Sequence, residues 1–178
     1  MIPHTGGSCQ IGADGVSSSS VVNATKFASS GAQRFRILHK YRNIAMVGLS
    51  SNSFRPSHFA AIYLLAEGYN VIPVNPTETE ILGRKCYASL REVPEPADVV
   101  DIFREPSAVP GVVEDAIAVG AKVVWMQLGV VHEPAAERAL QAGLDVVMDR
   151  CMKIEHARFF GGLNTIGLNT GLITARRR

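Results

Sequence analysis

Apolar residues along the chain fall into two alternating kinds of segment. Ile44 to Val47, Asn70 to Val74 and Asp98 to Phe103 are short and mostly apolar, as are the runs GAKVVWM from Gly120 and GLDVVMD from Gly143. Continuous apolar runs of this length read as strands buried on both faces. Between them apolar residues recur at helical spacing: Phe59, Ile62, Tyr63 and Ala66, then Val109, Val112, Val113, Ala116 and Ile117, then Ala136, Ala139 and Leu140. Each set predicts one helix face, the last with Pro134 near its start. A glycine closes a helix ahead of the next strand in GYNVIPV from Gly68 and in the two runs above. A further short helix over Arg34 to Tyr41 leads into the first strand.

Strand and helix in alternation, joined by right-handed crossovers, give a Rossmann-like α/β fold: an open parallel sheet of about five strands with helices on both faces. The binding crevice of such a sheet lies outside the strand carboxyl ends, where the strand order reverses. Pro76 to Pro96 carries turn residues and little periodicity and reads as a connection in place of a helix.

Length and composition bound the domain count. The 178 residues suffice for one domain of ordinary globular composition, placed here over residues 36–160. Residues 1–35 differ: Ser17 to Ser20 form a serine run and Asp14 is the sole acid before Glu67. They read as a disordered leader or a targeting segment, so the expected location is cytoplasmic, or mitochondrial or otherwise organellar where the leader is a transit peptide. Residues 161–178 form a glycine-rich tail ending in Arg176, Arg177 and Arg178.

A formal net charge of +2 with scattered basic residues argues against nucleic acid as a partner. No apolar run approaches the length of about 20 residues that crosses a bilayer, so no membrane is expected. Cys9, Cys86 and Cys151 stand far apart without a C-x-x-C pair, which indicates neither a disulfide framework nor a zinc site.

Candidate chemistry concentrates in GLSSNSFRPS, Gly48 to Ser57, between the first strand and the first long helix. A glycine and serine turn lets a ligand approach the backbone, and a helix start attracts anions. Arg55 adds positive charge, Pro56 suits a first helical position and Ser57 is the expected N-cap, with the helix closing at Gly68. The competing account is a plain polar connector, since Ser50 and Ser53 stand where a G-x-G-x-x-G fingerprint has glycines.

A dinucleotide enzyme places an acid at the end of its second strand to hold the ribose hydroxyls, but here Asn75 and Pro76 follow that strand. Arg84 and Lys85 would instead suit a phosphorylated ribose, as in NADP or coenzyme A, or be solvated, and Arg104 adds positive charge at the strand edge where open α/β sheets bind ligands. Phe103 and Arg104 end the third long strand, Phe103 against an adenine or in the core. Gln127 ends the fourth and bonds a pantetheine amide or caps the sheet end. Trp125 is expected in the core.

The five histidines form no spaced pair suggesting a triad or metal site, although His58 near the helix start could donate to an anion. Cys151, near a predicted helix start, is a packed thiol or one placed to meet a ligand thiol. Arg150, Glu155 and His156 read as a solvated mixed-charge face.

Taken in order, GLSSNSFRPS, GYNVIPVNP, LGRKCYASL, DIFREP, WMQLG and MDRCMKIEH resemble the stand-alone CoA-binding domain family over about Tyr41 to His156. That family is similar to the amino-terminal CoA-binding domain of the succinate-CoA ligase alpha subunit. The resemblance implies that Gly48, Ser50, Arg55 and Ser57 surround the phosphates, that Asn75, Pro76 and Lys85 flank the nucleotide, and that Phe103, Arg104 and Gln127 line the crevice. It also implies coenzyme A or an acyl-CoA as ligand, bound without catalysis, with assembly as a homo-oligomer or with another protein. The ligase's phosphohistidine domain has no counterpart here, and an acid in the ligase gives way to Gln127. The rival expectation is an NADP-dependent oxidoreductase or other nucleotide-binding protein.

Overall fold

The computed structural model describes residues 27–161, so most of the expected leader, Cys9 and the C-terminal tail lie outside the described residues. Helix α1, Gly31–Lys40, begins slightly earlier than the pattern suggested, with the Ser30 hydroxyl capping Gln33 N–H. It leads into strand β1, Asn43–Val47. Then come α2 (Pro56–Ala66), β2 (Asn70–Val74), a hairpin of β3 (Glu80–Ile81) and β4 (Arg84–Lys85), and β5 (Val99–Ile102). The chain closes with α3 (Val109–Ala118), β6 (Val123–Met126), α4 (Glu133–Gln141), β7 (Asp145–Val147) and α5 (Met152–Phe160).

The main sheet has five parallel strands in the order β2-β1-β5-β6-β7, the expected fold. Alternation along β1 sends Ile44 and Met46 to one face and Ala45 and Val47 to the other. On the first face, Val99, Val123 and Trp125 pack with Ile37 and Leu38 of α1, Ala60, Ala61 and Leu64 of α2, and Met152 of α5. On the second, Val100, Ile102, Val124 and Met126 meet Val113 and Ala116 of α3 and Ala135, Ala136 and Ala139 of α4. Trp125 is fully buried, and its indole N–H donates to the Arg150 carbonyl at 2.7 Å, so the core expectation holds.

Pro73 stands within a strand, which is tolerated because β2 lies at the sheet edge. The stretch expected to be an irregular connection contains the two-residue strands β3 and β4, and Tyr87 beyond them bridges to Val74. Leu82 turns that hairpin with φ 54.

Two expectations about α2 need correction. Its N-cap is Arg55, in extended conformation and without a side-chain cap, while Ser57 lies inside the first turn. Its buried residues are Ser57, Ala60, Ala61 and Leu64, while Phe59 and Ile62 face outward. The small alanines let the helix sit close on the sheet, and the larger residues take the outer side.

The solvated reading of Glu155 and His156 is also corrected, because both are buried where α5 packs on α1 and α2. Glu155 forms ion pairs with Arg34 at 2.8 Å and Arg158 at 2.9 Å. His156 meets the Tyr63 hydroxyl at 3.0 Å, and burial pushes its imidazole pKa down. No helix among the described residues is long and apolar enough to cross a membrane.

Candidate functional site

The chain runs from β1 to β2 on one side and later from β5 to β6 and β7 on the other, so the order reverses between β1 and β5. A cavity of about 810 Å³ opens at the carboxyl ends there. That volume lies within the range of small-molecule sites.

Gly48, the first residue after β1, adopts φ 88 and donates its N–H to the Val74 carbonyl at 2.9 Å. A Cβ added at Gly48 would lie 2.8 Å from Arg104 Cδ and 3.0 Å from the Phe103 carbonyl oxygen. Only glycine accepts both the dihedral and this close approach, and its absent side chain makes room for the Arg104 stem.

The following turn is held by its own polar groups. Asn75 Nδ2 donates to the Leu49 carbonyl at 2.8 Å, and Ser50 N–H donates to the Ser57 hydroxyl at 3.3 Å. Glu78 accepts from both the backbone N–H and the hydroxyl of Ser51, at 3.1 and 2.8 Å. The Asn52 side chain accepts from Phe54 N–H at 2.9 Å. His58, whose place near the helix start would let it donate to an anion, directs Nδ1 to the Ser50 carbonyl at 2.9 Å. The turn is therefore shaped before a ligand arrives. The start of α2, lacking a side-chain cap, keeps its attraction for anions.

The structure brings together Gly48, Ser50, Arg55, Ser57, Asn75, Phe103, Arg104 and Gln127 around this cavity. Pro76 and Lys85 are not among its lining residues. Lys85 lies instead on a smaller surface hollow with Asn70, Arg84 and Tyr87, its ammonium 5.1 Å from the Tyr87 ring centre. Arg84, also a candidate for a ribose phosphate, donates to Asn70 Oδ1 at 2.8 Å.

Several lining residues escaped the sequence reading: Phe54, Phe59, Leu128, Val130, Lys153 and Ile154. Phe54 is 89% exposed at the mouth, and Phe59 is 56% exposed. Aromatic residues flanking a phosphate-type turn were the available signal for these two. Lys153 and Ile154 arrive from α5, far along the chain, and carry no local mark of the site. Arg55, Arg104 and Lys153 give the cavity three cationic side chains, against a largely apolar remainder.

Cys151 lies at the cavity wall at the start of α5. Burial pushes its pKa up, and the Asp101 carboxyl adds to the rise, against the backbone N–H groups of Ile154 and Lys153 and the Lys153 charge. The group is a thiol at neutral pH. Cys86 is buried elsewhere. No cluster of metal-ligating residues occurs among the described residues.

Residues 42–157 match the family model for a CoA binding domain. The chain is 41% identical over 128 residues to YneT, an uncharacterized protein of Bacillus subtilis (strain 168), covering 72% of this chain and 95% of that protein. It is similar to a hypothetical protein from Pyrococcus horikoshii OT3, with TM-score 0.72 and 43% identity, over 73% of this chain and 92% of that one. It is also similar to part of the dinucleotide forming acetyl-coenzyme A synthetase 1 of Ca. Korarchaeum cryptofilum, with TM-score 0.58 and 27% identity. That match spans 65% of this chain and 28% of the synthetase.

Proposed function

From the premise that the chain belongs to the CoA binding domain family, we propose that it binds coenzyme A or an acyl-CoA in the crevice between β1 and β5, as a binding module without a reaction of its own. The observation that carries this reading is the cavity at the strand reversal. It joins the turn at Gly48, the start of α2 and the cations Arg55, Arg104 and Lys153 to an apolar wall. A ligand with phosphates at one end and a long, mostly neutral arm matches that division. The diphosphate lies over the start of α2, and the arm crosses the strand ends toward Gln127. The likeness to part of an acetyl-coenzyme A synthetase supports the same ligand class.

Calorimetric titration with CoA, dephospho-CoA, NAD and NADPH tests the reading. The expected result is CoA binding near micromolar, about 8 kcal/mol, weakened by loss of the ribose phosphate. A preference for NADPH with no CoA signal would overturn it in favour of a nicotinamide-dependent oxidoreductase.

A further inference from the structure

Asp101 sits in β5, in the middle of the sheet, with no exposed surface. Its Oδ1 accepts a hydrogen bond of 2.7 Å from Nε2 of Gln127. Its Oδ2 has no partner among the described residues. Burying a carboxyl so sparsely bonded is costly. Its single hydrogen bond reaches a residue that lines the cavity.

In that bond the amide gives its NH2 end to the carboxyl. A carboxyl oxygen receiving a hydrogen bond takes it from the NH2 end, so the carbonyl end of Gln127 turns away from Asp101. Gln127 is only 3% exposed and borders the cavity, and its carbonyl oxygen meets no donor among the described residues. The other cavity amide, Asn75, is already committed: Nδ2 bonds the Leu49 carbonyl and Oδ1 accepts from Thr77. Arg55, Arg104 and Lys153 offer only donors. Gln127 therefore supplies an acceptor on an otherwise donor-rich polar lining.

We infer that Asp101 is a positioning residue that holds the Gln127 carbonyl oxygen toward the cavity, where it accepts from a neutral amide N–H of the ligand. The inference rests on the proposed CoA reading, in which the pantetheine arm carries such N–H groups. The adenine amino group has similar donor chemistry, and the test separates the two.

The experiment compares the wild type with D101N, D101L and Q127M, each checked for fold by circular dichroism. CoA and 3′-phosphoadenosine 5′-diphosphate, which keeps the nucleotide and lacks the arm, are titrated into each. D101L and Q127M should bind CoA about three- to tenfold more weakly, as expected for one lost hydrogen bond. D101N allows Gln127 either orientation and should cost only about twofold. None of the three should change the affinity for the armless nucleotide. Equal weakening toward both ligands would overturn the inference, since a structural role or an adenine contact moves both. So would D101N matching D101L, or variants that leave CoA binding untouched. A wild-type chain that fails to bind CoA overturns the proposed function as well, whereas CoA binding insensitive to these variants overturns this inference alone.

Discussion

Burial raises the Asp101 pKa from 3.8 to about 7, while the bond from Gln127 pulls it down. The unfolded chain releases this proton near the ordinary value, so between these values the folded state binds more protons. The associated stability is fully present below about pH 4 and is lost as pH rises through about 7. D101N removes this contribution, on the order of 4 kcal/mol at most. Urea denaturation at pH 5 and pH 8 should show the wild type losing stability relative to D101N. Parallel changes in the two proteins would refute the assignment. Gln127 was visible as a site candidate because it ends a strand. Asp101 was not, because an acid within an apolar run announces burial without naming its partner on the next strand.

Helix α5 brings together contacts that its own sequence does not reveal. Glu155 looked like part of a solvated face because Arg150 precedes it and His156 follows it, but the Arg34 that pairs with it comes from α1. Removing a partner from a buried ion pair strands the remaining charge. Glu155→Ala should therefore lower stability by about 3 kcal/mol, seen as a lower denaturant midpoint with an unchanged slope. An unchanged midpoint would place Glu155, Arg34 and Arg158 in solvent. Helix α2 was misread for another reason. It is apolar around nearly its whole circumference, so periodicity could not choose the buried face, and the sheet took Ala60 and Ala61 while Phe59 turned toward the cavity. The two-residue strands β3 and β4 were too short to create a pattern at all.

At the scale of the molecule, an open parallel sheet with a crevice at its strand carboxyl ends was legible because apolar runs alternate with helices, whereas the strand order that puts the reversal between β1 and β5 was not. Lys153 and Ile154 were not legible because only the folded sheet brings α5 beside the turn after β1. Ligand binding at such a junction stabilises the whole fold by mass action. CoA at a hundredfold excess over its dissociation constant should add about 2.7 kcal/mol and raise the thermal midpoint. No shift would speak against CoA as the ligand. The sheet's two margins have a different consequence. At one, Pro73 lacks an N–H and its carbonyl accepts from Tyr87 N–H at 3.1 Å. At the other, β7 spans only Asp145–Val147, and Asp145 receives hydrogen bonds from Gln33 and Arg36. Among the described residues, neither margin offers a long bare ladder onto which another chain could add, so the sheet edges disfavour growth by strand addition.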